Sequence, residues 1–182
     1  MRVTGGTGRG WRLKTLAGSR VRPTSDKVKQ ALFNILGARI EGAAFLDLFA
    51  GAGGIGIEAL SRGAERVVFV DASRDSLNIV KGNIDLTGFG DRARTVLSKA
   101  ESFLKTASEH YDIVFLDPPY ADDMRPLLEQ VSEAGILNPD SIVIAEHFKK
   151  QLSPENAGRL SLVRASRYGD TVLAFYAVKE AP

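Results

Sequence analysis

From residue 43 to residue 147, short apolar runs alternate with longer segments whose apolar residues fall three and four apart. The runs predict strands at 43–48, 66–71, 93–97, 112–117 and 141–147, and the segments between them predict helices at 54–62, 73–86, 99–108 and 122–134. Strands separated by helices imply a mostly parallel sheet covered on both faces. The pattern then changes: 159–167 and 170–178 are strand-like runs around Tyr168-Gly169-Asp170, which predicts a closing antiparallel hairpin and a seven-stranded α/β sheet. Upstream, the first 18 residues read as an extended arm with a short hairpin, because Arg12-Leu13-Lys14-Thr15-Leu16 alternates polar and apolar. Arg22-Pro23-Thr24-Ser25-Asp26 announces a helix, capped by Thr24 or Ser25. Its apolar stripe is Val28, Ala31, Leu32, Ile35 and Leu36, and Gly37 or Gly42 ends it. With no repeat and no long linker, 1–182 reads as one domain, an arm and helix at 1–40 on a core at 41–182.

The strand ends carry the chemistry. In open α/β sheets, ligands bind beyond the carboxyl ends of the strands. Asp117-Pro118-Pro119-Tyr120 follows the apolar run Ile113 to Leu116. It offers a carboxylate, a backbone stiffened by two prolines and an aromatic face. That set suits a base with an exocyclic amino group, which needs proton acceptors and a ring to stack on. The first strand runs into Asp47-Leu48-Phe49-Ala50-Gly51-Ala52-Gly53-Gly54-Ile55-Gly56. Glycines there permit positive φ and close approach to a ligand, although dinucleotide-binding proteins share such a loop. Asp47 is placed to face a cationic amino acid, and Asp71, ending the second strand, to accept from ribose hydroxyls.

Composition narrows the partner. The chain has 182 residues, 44% hydrophobic and 25% charged, as in a soluble globular domain. No apolar stretch reaches membrane-spanning length. Cysteine is absent, and only His110 and His147 carry imidazole, so a metal site is not expected; both histidines read as surface or strand-end residues. The net charge of +2 hides an asymmetry: residues 1–29 hold eight basic residues against Asp26 alone. A basic arm on an acidic body points to a polyanion. Gly5, Gly6, Gly8 and Gly10 would bring its backbone close to phosphates, and Trp11 would stack or pack.

The glycine loop, the acid after the second strand and Asp117-Pro118-Pro119-Tyr120 together resemble a Rossmann-like class I S-adenosylmethionine-dependent methyltransferase acting on an amino nitrogen. The similarity is closer to the RsmD-like 16S rRNA guanine-N2 methyltransferases of bacteria. It runs through Arg2-Val3-Thr4-Gly5-Gly6, through Arg22-Pro23-Thr24 with Asp26, Val28, Leu32 and Phe33, through Asp47 to Gly51 and Gly56, and through Glu58-Ala59-Leu60-Ser61-Arg62-Gly63-Ala64.

The resemblance implies that S-adenosylmethionine is held by Asp47, Phe49, Ala50, Gly51, Gly53 and Gly56, by Asp71 and Ala72, by Ala100 and Glu101, and by Asp117. It implies catalysis by Asp117, Pro118 and Tyr120. The basic arm adds the expectation that Arg9, Arg12, Lys14 and Arg22 contact RNA phosphates, with ordering of the active-site loop as the alternative for Arg22. The partner would be small-subunit ribosomal RNA, naked or in a 30S particle, and the enzyme a cytoplasmic monomer. Two positions depart from the family pattern. Asp71 stands where Glu is common, and Lys99 stands where Asp or Asn often precedes an alanine, which leaves adenine recognition to the backbone around Ala100 or to Glu101. Three rivals remain. A DNA adenine-N6 methyltransferase commonly needs a target-recognition region for which this chain has no room. A non-enzymatic RNA-binding protein leaves the intact Asp47, Gly51, Asp71 and Asp117 unexplained. A nicotinamide oxidoreductase leaves Asp117-Pro118-Pro119-Tyr120 and the arm without purpose.

Overall fold

The computed structural model describes residues 1–15, 24–119 and 123–179. Leu16, Arg22, Pro23, Tyr120 and the expected start of a helix at 122 lie outside them. Strands β1 (Ala44–Leu48), β2 (Arg66–Asp71), β3 (Ala93–Leu97), β4 (Tyr111–Leu116) and β5 (Leu137–Phe148) are parallel. Strands β6 (Asn156–Ala157), β7 (Leu160–Tyr168) and β8 (Thr171–Val178) complete one sheet in antiparallel fashion, in the order β3-β2-β1-β4-β5-β8-β7-β6. Eight strands stand where seven were expected. The extra one, β6, is two residues long and pairs Asn156 with Ser161 and Ala157 with Leu160, too short to leave an alternating pattern.

Successive side chains of a strand point to opposite faces. Phe45, Val67, Phe69, Ile113, Phe115 and Ile144 therefore pack on one side, beneath helices α1 (Asp26–Leu36), α2 (Gly54–Ser61) and α3 (Arg74–Thr87). Leu46, Leu48, Val68, Val70, Val114 and Leu116 pack on the other, against α4 (Ala100–Thr106) and α5 (Arg125–Glu133). The chain reverses its strand order between β1 and β4, which opens a crevice at their carboxyl ends.

Ser25 is the residue that caps α1, its Oγ accepting from the Val28 amide at 3.3 Å, and Gly37 ends the helix at φ 54°. The buried face of α1 is Val28, Lys29, Leu32, Phe33 and Leu36, a stripe turned one residue from the expected one so that it takes in a lysine. Lys29 is 1% exposed and pairs with the fully buried Glu58 of α2 at 3.5 Å, and its ammonium donates to the Arg2 carbonyl. Burial lowers the Lys29 pKa, against the pull of Glu58. Glu58 also accepts from the Thr4 amide at 2.7 Å, the Thr4 hydroxyl at 2.8 Å and Arg62 Nε at 2.8 Å. One carboxylate thus joins the arm, α1 and α2.

The arm folds on itself as a narrow hairpin. Residues 1–3 pair with 11–13 through Val3 to Trp11 at 2.9 Å and Leu13 to Met1 at 3.0 Å, earlier in the chain than the 12–16 alternation suggested. Val3 and Leu13 enter the core. Two glycines of the arm have a packing reason. A Cβ on Gly6, at φ 72°, would overlap the Ser61 carbonyl, and one on Gly5 would overlap the Arg62 guanidinium. Both are small because the arm lies against the end of α2, where the Thr7 amide donates to the Ser61 carbonyl at 2.8 Å. Trp11 packs on Phe89 with ring centroids 6.1 Å apart.

Candidate active site

Four strands carry an acid two residues after a core residue, at or near their carboxyl ends. Phe69 precedes Asp71 on β2, Phe45 precedes Asp47 on β1, Phe115 precedes Asp117 after β4, and Ile144 precedes Glu146 on β5. Because side chains alternate and β2, β1, β4 and β5 are neighbours, the four carboxylates form a row along one face of the sheet. Burial is the main cause that lifts the Asp47 carboxyl to about 7, and the charges of Asp117 and Asp71 add to it. Burial also raises Asp117 and Glu146, and Asp117 raises Glu146 further.

Asp47, Asp71 and Asp117 of this row border a cleft of about 700 Å³, in the range of small-molecule sites. The glycine loop forms one wall. Its turn is held to β2: the amides of Phe49 and Ala50 both donate to the Val70 carbonyl at 3.0 Å, and the Gly51 amide donates to Asp71 Oδ2 at 2.8 Å. Phe49 sits at φ 73°, an uncommon backbone for a non-glycine residue. Asp71 Oδ1 also accepts from the Ser73 amide at 2.8 Å, so this carboxylate is fixed from both sides and keeps its remaining lone pairs for a ligand. Asp47 accepts from the Gly56 amide at 3.0 Å.

Most of the expected residues meet at this cleft: Asp47, Phe49, Ala50 and Gly51 from the first strand and loop, then Asp71 and Ala72, Ala100 and Glu101, and Asp117. Gly53, Gly56 and Pro118 stand outside its wall, where Pro119 takes part instead. Gly56 has a packing reason, since a Cβ there would overlap the Phe69 ring. Lys99 also lines the cleft. Arg9, Arg12 and Lys14 are exposed on the arm and form no ion pair among the described residues. His110 is exposed, whereas His147 is buried near the end of β5, with Nε2 at 2.8 Å from Ser153 Oγ.

Sequence reasoning missed the contribution of the arm and α1. Met1, Thr15, Thr24 and Lys29 all line the cleft. The side chain of Asn83, on α3, bridges the two regions: its Nδ2 donates to the carbonyls of Lys14 and Ala52, each at 3.0 Å, and its Oδ1 accepts from the Lys14 amide at 2.8 Å. Nothing local to these residues announces such contacts. Glu146 was also missed, although the acid two residues past an apolar strand position repeats the signal of Asp47, Asp71 and Asp117.

Comparison with known proteins agrees with this geometry. The family model described as conserved hypothetical protein 95 matches residues 1–177. YlbH of Bacillus subtilis is 40% identical over 97% of this chain and 98% of its own length. Ribosomal RNA small subunit methyltransferase D of Escherichia coli is 33% identical over 97% of this chain and 89% of its own. The solved structure of yhhF from Escherichia coli superposes with a TM-score of 0.89 at 31% identity, covering 100% of this chain and 99% of that one. No helix among the described residues is long and apolar enough to cross a membrane. With a matching family model and relatives above 30% identity along nearly its whole length, the chain belongs to the conserved hypothetical protein 95 family of RsmD-like methyltransferases.

Proposed function

We propose that the chain transfers a methyl group from S-adenosylmethionine to the exocyclic N2 of one guanine in small-subunit ribosomal RNA. The observation that carries this reading is Asp117, followed by Pro118 and Pro119, bordering the same cleft as the glycine loop, Asp47 and Asp71. Relatives named Ribosomal RNA small subunit methyltransferase D support the RNA target.

The residues fit that cofactor. Buried carboxylates without a cationic partner suit a ligand that carries a sulfonium and an ammonium. Asp47 receives the ammonium, Asp71 the ribose hydroxyls, and Phe49, Ala50 and Gly51 the body of the molecule, with Ala72 beside it. Gly53 and Gly56 shape the loop and helix behind it. Lys99 offers no acceptor to the adenine amino group, so recognition of that ring would fall to the backbone around Ala100 or to Glu101. When bound, S-adenosylmethionine supplies a methyl on a good leaving group. The rest is the acceptor's problem, because the N2 lone pair of guanine is delocalised into its ring. Asp117 and the Pro118 carbonyl would accept hydrogen bonds from the two amino hydrogens and aim the nitrogen lone pair at the methyl carbon. As the N–C bond forms, the S–C bond breaks to leave a neutral thioether, and the surplus proton on nitrogen passes to Asp117 and on to water. The charge growing on nitrogen is stabilised by the Asp117 carboxylate, an effect that strengthens as water leaves. Tyr120 stacks on the unpaired base.

Residues 1–40 form the RNA-facing extension on the catalytic core at 41–182. Arg9, Arg12, Lys14 and Arg22 contact phosphates. RNA affinity should therefore fall linearly on a logarithmic salt scale, and Arg12→Ala should shallow the slope by about one unit. Filter binding from low to high salt reads this, and a flat curve rejects the phosphate contacts.

Cofactor affinity should depend on pH. Asp47, lifted to about 7, is protonated in the empty cleft at lower pH and must lose that proton to receive an ammonium. Affinity is expected to be full above this pKa and about tenfold weaker at pH ~6 than at pH ~8. Titration calorimetry that finds equal affinity at both would move the ammonium away from Asp47.

The deciding experiment incubates the protein and labelled S-adenosylmethionine with small-subunit RNA, naked or in 30S particles, from cells lacking the gene. DNA runs in parallel, and nucleosides are read by mass spectrometry. N2-methylguanosine from RNA is the expected product. N6-methyladenosine, or label in DNA alone, overturns the acceptor.

A further inference from the structure

Glu146 has no part in the scheme above, yet it lies one strand beyond Asp117 on the same face. Leu116 pairs with Ala145, so the residues that follow, Asp117 and Glu146, are side by side at the ends of β4 and β5. Glu146 is 9% exposed and does not line the cleft. We propose that Glu146 is a positioning residue that holds one proton for the pair, its carboxylic O–H donating to Asp117 and fixing that carboxylate, ionised, against the acceptor base. The inference rests on the assignment of Asp117 as the acceptor of amino protons.

The surroundings of Glu146 favour this division. From the segment before α1, the Thr24 hydroxyl donates to Glu146 Oε2 at 2.9 Å. From β8, its partner in register is the apolar Leu173. From β4 it faces Asp117, with Asp47 further along the row. Lys29 of α1, the one buried cation among the described residues, is committed to Glu58 and the Arg2 carbonyl. Among the described residues, neither Asp117 nor Glu146 forms a salt bridge. Two buried carboxylates side by side with no cation do not both ionise near neutral pH. Burial raises both, and the charge of Asp117 raises Glu146 further, so the shared proton resides on Glu146. An anionic Glu146 would instead push Asp117 off its station.

The test is the pH profile of kcat at saturating cofactor, on whichever nucleic acid the unaltered protein methylates. The unaltered protein is expected to lose activity on the alkaline side as Glu146 ionises. In Glu146→Gln, an amide donor replaces the O–H at every pH, and the alkaline loss should disappear. In Thr24→Val, the bond that favours ionised Glu146 is gone, and the loss should move to higher pH. Glu146→Leu, with no donor, should lower kcat about tenfold at neutral pH with cofactor Kd changed less than about twofold. An alkaline loss that persists in Glu146→Gln, or an undiminished kcat in Glu146→Leu, overturns the proposal. Failure of the guanine assignment shows separately, as a different methylated nucleoside with the same effects of the Glu146 variants.

Discussion

Replacing Asp117 by alanine is expected to lower kcat about 10³-fold and to change cofactor affinity by no more than about threefold. The asymmetry follows from the row of acids. Asp117 lies one strand from Asp47 and two from Asp71, and the loop that cradles the cofactor is fixed to Val70 and Asp71 without its help. Its removal takes one negative charge from beside Asp47, which eases ionisation of that carboxyl, and also takes one anion from the surroundings of a cationic ligand, so the two effects on cofactor binding oppose each other. The chemical step loses its acceptor for an amino proton and the charge that balances the methylated nitrogen. Single-turnover transfer and calorimetry on the same preparation separate the two effects. A loss of cofactor binding as large as the loss of rate would remove Asp117 from the catalytic role.

The largest effect on stability is expected at Glu58. Truncating one partner of a buried ion pair leaves the other charge unpaired and costs about 3–5 kcal/mol. Glu58→Ala abandons more than Lys29: the Thr4 amide, the Thr4 hydroxyl and Arg62 each lose a bond to the same carboxylate. For a chain of this size, the loss corresponds to a fall in Tm of roughly 10–15 °C. Thermal unfolding checks this. RNA affinity should fall in parallel because the arm loses its anchor on α2. A loss below about 1 kcal/mol would mean that Lys29 discards its proton when left alone, as its burial already encourages.

The alternation of strands and helices was legible because parallel strands buried on both faces read as apolar runs, as in β1, where all five residues are buried. The loop after β1 and the acids at 47, 71 and 117 were legible because each sits at a fixed offset from such a run. The packing of the arm was not legible, for a physical reason. Glycine signals that backbone comes close to something, and at Gly5 and Gly6 that something is the end of α2, which lies more than fifty residues away in sequence. Separation along the chain also hid Lys29. A lysine in a helix counts as surface until the glutamate that pairs with it, on another helix, is placed. Thr24 looked like a helix cap, but Ser25 does that work and Thr24 reaches across the sheet to Glu146.

The side chain of Asn83 has a consequence for how two ligands communicate. It is fully buried, and one amide group grips Lys14 on the arm and Ala52 in the glycine loop. On the proposed function, a strand of nucleic acid that shifts Lys14 would pull on the glycine loop, and a ligand that tightens the loop would pull on the arm. Such linkage is reciprocal by thermodynamic necessity: whatever factor one occupant adds to the affinity of the other, it receives back unchanged. On that reading the amide of Asn83 would be the place where each partner senses the other.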